Sequence, residues 1–348
     1  MMRAHSCYTS RRFHVQEVRS VIGHTLCCLQ YIDIVQDSQP LARRGWAAQE
    51  SLLSFRVLSF NEDRMTWRCH QIHVAEEGDK GGPEHHCAKR IESIADSLKP
   101  LLPGSGFEKT HWARFIESYS ARRMTYEADT LPAISGIAQR IGQITGDAYC
   151  AGLWMRHFLY GLLWSPEMIL GLREGVEGLP QALRRRHEWI APSWSWASIK
   201  RGIRYPSLGD SELEYCACLE ECSVIHHGID PFGALKEGFA RVKGPVTLVT
   251  DIKAEDEFAH SFGSGCMFQL SNGTLTEGTV LFDFVHRTSC DVMMITPSWG
   301  ICIEKVPHTT NTYVRIGVVR IRKIPLAERG RRVPITSDHV PPRSVIFV

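Results

Sequence analysis

The apolar residues of this chain change their spacing part-way along it, and that change limits what it can fold into. Ile134, Ile137, Ala138, Ile141 and Ile144 recur three and four apart, the period of a helix that buries one face. Trp112, Phe115, Ile116 and Tyr119 repeat the pattern over 111–120, with Thr110 as candidate N-cap. From about residue 190 the texture turns to short apolar runs bounded by Gly, Pro, Asn or Asp, at 242–250, 280–284, 292–296, 300–305 and 313–320. Such a chain is α+β: a helical middle region followed by a C-terminal antiparallel β-rich region.

Ahead of these, 41–53 reads as a helix carrying Leu41, Trp46, Leu52 and Leu53. Residues 56–60 and 65–69 alternate around a turn-like 61–64, the signature of a hairpin. A polar loop at 76–83 leads to a helix over 84–98, with Ile91, Ile94, Ala95 and Leu98 on one face. Asp129 or Thr130 is placed to cap the helix that follows, with Pro132 in its first turn. The apolar stretch 148–172 is interrupted by Arg156, His157, Pro166 and Glu167, which predicts a buried helix and a second short helix rather than a membrane span. The boundaries drawn are 1–56, 57–190 and 191–348.

Charge excludes one class of partner. Forty basic and 38 acidic residues leave a formal +2, too little to draw the chain to nucleic acid, and the run Arg184-Arg185-Arg186 reads as a solvated helix end. Twelve scattered cysteines and a polar, charged 1–20 without a signal-peptide pattern predict reduced thiols in the cytoplasm. No Gly-x-Ser-x-Gly elbow or phosphate-cradling Gly-x-x-x-x-Gly-Lys run is present, and Gly263-x-Gly265 lacks a strand-then-helix context.

Two clusters carry groups able to do chemistry or binding. Cys216, Cys218 and Cys222, with His226 and His227 behind them, have metal-capable side chains, but their spacing departs from paired-cysteine zinc sites. On a strand they fall on one face, as core cysteines do, so no metal or cofactor is expected; His85-His86-Cys87 is a weaker case. Trp194 and Trp196, with Trp189 nearby, share a face on an extended strand. They anchor the helical region to the β-rich region, or if exposed mark a partner surface. Glu220-Glu221 reads as solvated.

The segment Arg44-Gly45-Trp46-x-x-Gln49-Glu50-x-x-Leu53-Ser54-x-Arg56 sets Trp46 to bury a large area while Gln49 and Glu50 meet a neighbouring strand or arginine. It resembles the closing motif of the fungal heterokaryon-incompatibility (HET) domain. Trp67-Arg68-Cys69 is similar to the strand after it. Trp112 with Tyr119-Ser120 and Thr125 resembles the family's stretch after the domain, and Asp129-Thr130-Leu131-Pro132-Ala133-Ile134-Ser135-Gly136-Ile137-Ala138, Tyr149-Cys150-Ala151-Gly152-Leu153-Trp154 and Pro192-Ser193-Trp194-Ser195-Trp196-Ala197-Ser198 resemble later family signatures, in order. Asp230-Pro231-Phe232-Gly233 and Tyr313-Val314-Arg315-Ile316-Gly317 match less specifically. The opening Ser-Tyr-x-Trp-Gly strand is missing, Tyr31-Ile32-Asp33 looks like a compressed second segment, and Phe55 stands where proline is usual. The resemblance therefore implies a short truncated α/β remnant at 1–56 and a role in self/non-self recognition and programmed cell death through a protein partner. It leaves two alternatives: a nucleotide (NAD)-cleaving effector of Toll/interleukin-receptor-like type working through Glu50, or a non-functional relic.

Overall fold

The computed structural model describes residues 14–15, 31–32, 41, 43–60, 65–69, 73–75, 109–167, 188–208, 214–250, 252, 264–269, 275–284, 287–321 and 340–348. The expected loop at 76–83, the helix at 84–98, the His85-His86-Cys87 cluster and Arg184-Arg185-Arg186 lie outside them. Strands β1 (His14–Val15) and β2 (Tyr31–Ile32) pair with each other, and with no other strand among the described residues. Helix α1 (Trp46–Leu53) is shorter at its start than the sequence predicts, because Arg44 is drawn into a bridge with Arg123. The hairpin β3 (Arg56–Phe60) and β4 (Met65–Cys69) forms as predicted, and β5 (His73–Ala75) adds a third strand.

The helical layer follows its 3.6-residue period. Helix α2 (Lys109–Ser120) buries Trp112, Phe115, Ile116 and Tyr119, and starts early enough to place Thr110 inside it rather than at its cap. Helix α3 (Pro132–Thr145) buries Ile134, Ile137, Ala138 and Ile141. It ends at Gly146, where φ of 66° lets the backbone N–H turn back to Gly142 O. Pro132 takes the first-turn position, as predicted. Neither proposed cap engages, however: a 3₁₀ turn at Glu127–Thr130 leads into α3, and the Thr130 hydroxyl donates to Glu127 O at 2.7 Å.

The apolar stretch after α3 is not two helices. Strands β6 (Tyr149–Cys150) and β7 (Leu153–Trp154) make a two-residue hairpin, followed by a 3₁₀ turn (Met155–His157), the short helix α4 (Phe158–Gly161) and β8 (Ser165–Pro166), which pairs with β9 (Ile203–Arg204). Ala151 and Gly152, both at positive φ, supply the tight turn that breaks the helix. Trp154, Phe158, Leu162, Leu163 and Trp164 are buried on every side, so apolar content alone carried no helical period here. Among the described residues, no helix is long and apolar enough to cross a membrane.

The C-terminal region is a closed barrel. Strands β10 (Cys218–His226), β11 (Leu235–Thr250), β12 (Ser264–Gln269), β13 (Leu275–Phe282), β14 (Cys290–Met294), β15 (Trp299–Lys305), β16 (Thr312–Ile321) and β17 (Pro342–Phe347) form one sheet. The ring runs β11–β14–β15–β16–β17 and returns to β11; every pairing is antiparallel except β16 with β17. The β12–β13 hairpin bridges the far ends of β11 and β16, while β10 flanks β11 on the outside. Alternation divides the buried side chains. Met293, Ile301, Ile303, Tyr313, Val318, Val345 and Phe347 join the core of the helical layer, whereas Val292, Met294, Cys302, Ile316 and Val319 fill a second, smaller core.

Candidate functional site

Helix α1 docks on α3 through polar contacts. Trp46 Nε1 donates to Asp129 Oδ2 at 3.0 Å, and the Gly136 N–H donates to Gln49 Oε1 at 2.8 Å. Just ahead of α1, Gly45 N donates to Arg123 O (3.0 Å) and Arg123 N to Arg43 O (2.6 Å), while Arg122 Nη1 reaches Arg44 O at 3.3 Å. Of α1, only Ala48 is buried. The deep burial expected of Trp46 is corrected: its indole stays 38% exposed and serves as a donor at the rim. Gln49 meets a helix amide rather than a strand or arginine. Glu50 lies exposed, with no side-chain partner among the described residues.

A second junction gathers residues from three parts of the chain onto one turn. With φ of 48° at Ala151 and 93° at Gly152, the β6–β7 turn directs its carbonyls into the core. Gly152 O accepts two indole N–H groups, from Trp112 (2.8 Å) and Trp196 (3.1 Å). Ala151 O accepts the Ser195 hydroxyl at 2.6 Å, and Ser195 Oγ in turn accepts Ala197 N at 3.1 Å, capping a 3₁₀ turn at Trp196–Ser198. A Cβ at residue 152 would stand 2.5 Å from Trp196 Nε1, so only glycine fits. Trp164 Nε1 donates to Trp194 O at 3.1 Å. Trp194 and Trp196 are therefore not side by side on a strand. Both are buried, in a turn, and they anchor the helical layer to the barrel; Trp189 is exposed.

Beside this junction lies an aromatic hollow lined by Lys109, Trp112, Trp154, His157, Tyr160 and Tyr205. It holds about 20 Å³, room for about one water molecule and far too little for a dinucleotide. Tyr160 and Tyr205 stack at 5.5 Å, and Tyr160 OH donates to Pro206 O at 3.1 Å. Burial raises both phenols above their ordinary range, with the nearby Glu117 adding to each. Neither is a base at neutral pH.

One buried charge pair was not singled out by spacing. Arg315, on β16, donates from Nη1 to Asp283 Oδ2 at 2.5 Å and from Nη2 to Trp164 O, and its guanidinium lies 3.4 Å from the centre of the Trp164 ring. Both charged side chains are almost wholly buried. Burial pulls the Arg315 pKa down, and the Asp283 carboxylate opposes that shift. The Arg315 backbone N–H donates to Ser193 Oγ at 3.0 Å, so the barrel, the tryptophan turn and the end of the apolar stretch meet at this residue. The signal available was an arginine within an otherwise apolar strand, Tyr313-Val314-Arg315-Ile316-Gly317.

The cysteine cluster is reorganised by a bulge. Leu219 and Glu221 face consecutive residues of β11, Val242 and Arg241, leaving Glu220 extra and reversing the alternation. Cys218 therefore points to solvent while Cys222 turns inward, so the three cysteines do not share a face. Cys222 is disulfide-bonded to Cys150, which corrects the expectation of wholly reduced thiols and removes Cys222 from any metal set. Cys216 is half-buried; burial pushes its thiol up to about 11. Half-buried His226 pairs across the ladder with Leu235. Glu220 and Glu221 are exposed, as predicted, the second paired with Arg241 at 3.0 Å. Among the described residues, no group of three or more His, Cys, Asp or Glu side chains is arranged to hold a metal ion. In comparisons with protein-family models, curated proteins and solved structures, none matches this chain.

Proposed function

We propose that the chain is a HET-type protein that acts in self/non-self recognition leading to programmed cell death, in the cytoplasm, by contact with a protein partner rather than by catalysis. One observation carries the reading: the polar groups of the family-like motifs are used for architecture. Trp46, Trp112, Ser195 and Trp196 each donate a hydrogen bond to another part of the fold, Gln49 accepts one from the Gly136 N–H, and Trp154 and Trp194 are packed inside. The first of these motifs, at 44–50, docks on the second, at 129–136. The third and fourth share the Gly152 turn. Activity then falls to the exposed surface. Support for contact comes from β3 and β4, where Leu58 pairs with Trp67 and Phe60 with Met65, all four exposed on one face. Apolar faces of this kind are what protein partners cover.

The nucleotide-cleaving alternative needs a carboxylate facing an enclosed hollow. Glu50 lies on the solvent side of α1 and is not among the residues around the aromatic hollow. Two assays test the proposal. Hyphae expressing the chain, paired with strains of differing compatibility, are expected to show growth arrest and vital-dye uptake in some pairings and not others, with loss of the effect in Leu58→Ser/Phe60→Ser. Uniform growth in every pairing, or NAD turnover by the purified chain that Glu50→Gln abolishes, overturns it.

A further inference from the structure

The β10–β11 hairpin is an appendage of the barrel. Strand β10 pairs with β11 along one edge and has no strand on its other edge among the described residues. Leu219 and Val224 pack it against the core, and two further features tie it to the helical layer. At its tip, Phe232 packs against Tyr149 with ring centres 5.3 Å apart and rests on α3 at Gly142, in a turn fixed by Phe232 N donating to Asp230 Oδ1 at 2.9 Å. In the middle of the strand, Cys222 is bonded to Cys150, next to the turn whose carbonyls hold Trp112 and Trp196. Cys216, Cys218 and Cys290 form no disulfide.

We propose that the Cys150–Cys222 bond is a redox-operated latch that fixes β10 to the core of the helical layer and releases it when a dithiol reductant is present. Cys222 is half-buried and Cys150 only 4% exposed, so the reductant's thiolate attacks Cys222 Sγ and expels the Cys150 thiolate. The S–S bond breaks, a mixed disulfide forms, and the reductant's second thiol resolves it. Two electrons pass to the protein, each sulfur takes up a proton, and the reductant leaves as its own disulfide. A disulfide such as oxidised glutathione runs the exchange in reverse. Reduced, β10 keeps its ladder to β11 and the Phe232 contact but loses its mid-strand anchor, and the surface carrying Glu220, Glu221 and the exposed Ile225 loosens. The latch stands whether or not the chain serves recognition.

Peptide mapping and hydrogen–deuterium exchange on the full chain test this. Protein equilibrated with oxidised glutathione and alkylated without reduction is expected to yield a linked peptide containing residues 150 and 222. Adding dithiothreitol should accelerate amide exchange across 218–226 by about tenfold or more, with β14–β16 unchanged. Cys222→Ala should exchange at the fast rate with and without dithiothreitol. Alkylation of both Cys150 and Cys222 in protein denatured without reductant, or equal exchange of β10 in both states, overturns the proposal.

Discussion

Replacing Asp283 by alanine isolates the cost of the buried charge. Arg315 would keep its bond to Trp164 O and its place over the Trp164 ring, yet its guanidinium would face a void where the carboxylate stood. Removing one partner of a buried pair costs about 3–5 kcal/mol, because the remaining charge is left uncompensated. At about 2.1 cal/mol/K per residue, a chain of 348 residues loses about 1.4 °C per kcal/mol, so the melting temperature should fall by about 4–7 °C. Arg315→Met strands the Asp283 carboxylate in turn and also leaves the buried Trp164 carbonyl without its donor, worth about 1–3 kcal/mol more. The double variant, with Met at 315 and Ala at 283, buries no unpaired charge and should therefore be more stable than Asp283→Ala alone. Urea and thermal denaturation of all four proteins give the cycle directly. If Asp283→Ala melts within about 2 °C of the parent, or the two single effects simply add, the pair is not the organising charge of this core.

Gly152→Ala forces a Cβ to 2.5 Å from Trp196 Nε1 at a residue with φ of 93°, and should cost more than about 2 kcal/mol by denaturant titration; a smaller loss means the turn relaxes without strain. Cys216 titrates near 11 against an ordinary 9.0, so at pH 9 only about one in a hundred of its thiols is ionised, and site-resolved alkylation should leave it behind the exposed Cys218. Because its folded pKa is raised, the stability it lends is present below pH 9 and lost as pH climbs from 9 through 11. Equal labelling of the two cysteines at pH 9 refutes the assignment.

The helical layer was legible because its stripes are long and regular: α2 and α3 follow from residues spaced three and four apart. Strands β11 and β13–β16 were legible in part from their punctuation, though β11 and β13 begin several residues earlier than read. What escaped detection depends on contacts distant in sequence. Strand β10 sets Glu220, Glu221 and Ser223 among its apolar residues and is half-exposed, so no long apolar run marks it, and its bulge at Glu220 erased the face-sharing of its cysteines. The Cys150–Cys222 link spans 72 residues and leaves no local sign. The stretch after α3 misled because burial on all sides removes periodicity. At the candidate site, Trp46, Gln49, Trp154, Trp194 and Trp196 were identified as participants, but their partners were not: a carboxylate, a helix amide and the Gly152 carbonyl are visible only once the chain has folded.

Strand β17 lies between β11 and β16, covering an edge of each, and brings residues 342–347 beside positions about a hundred and about thirty earlier. The barrel is a ring that this segment completes, so during synthesis it cannot close before residues 342–347 emerge. Until residues 342–347 emerge, β11 and β16 present open backbone edges that invite pairing with other chains. Proteins built on such distant pairings acquire their native contacts slowly. A nascent chain of this kind is therefore most vulnerable to aggregation until residues 342–347 have emerged, while two rows of amides remain bare.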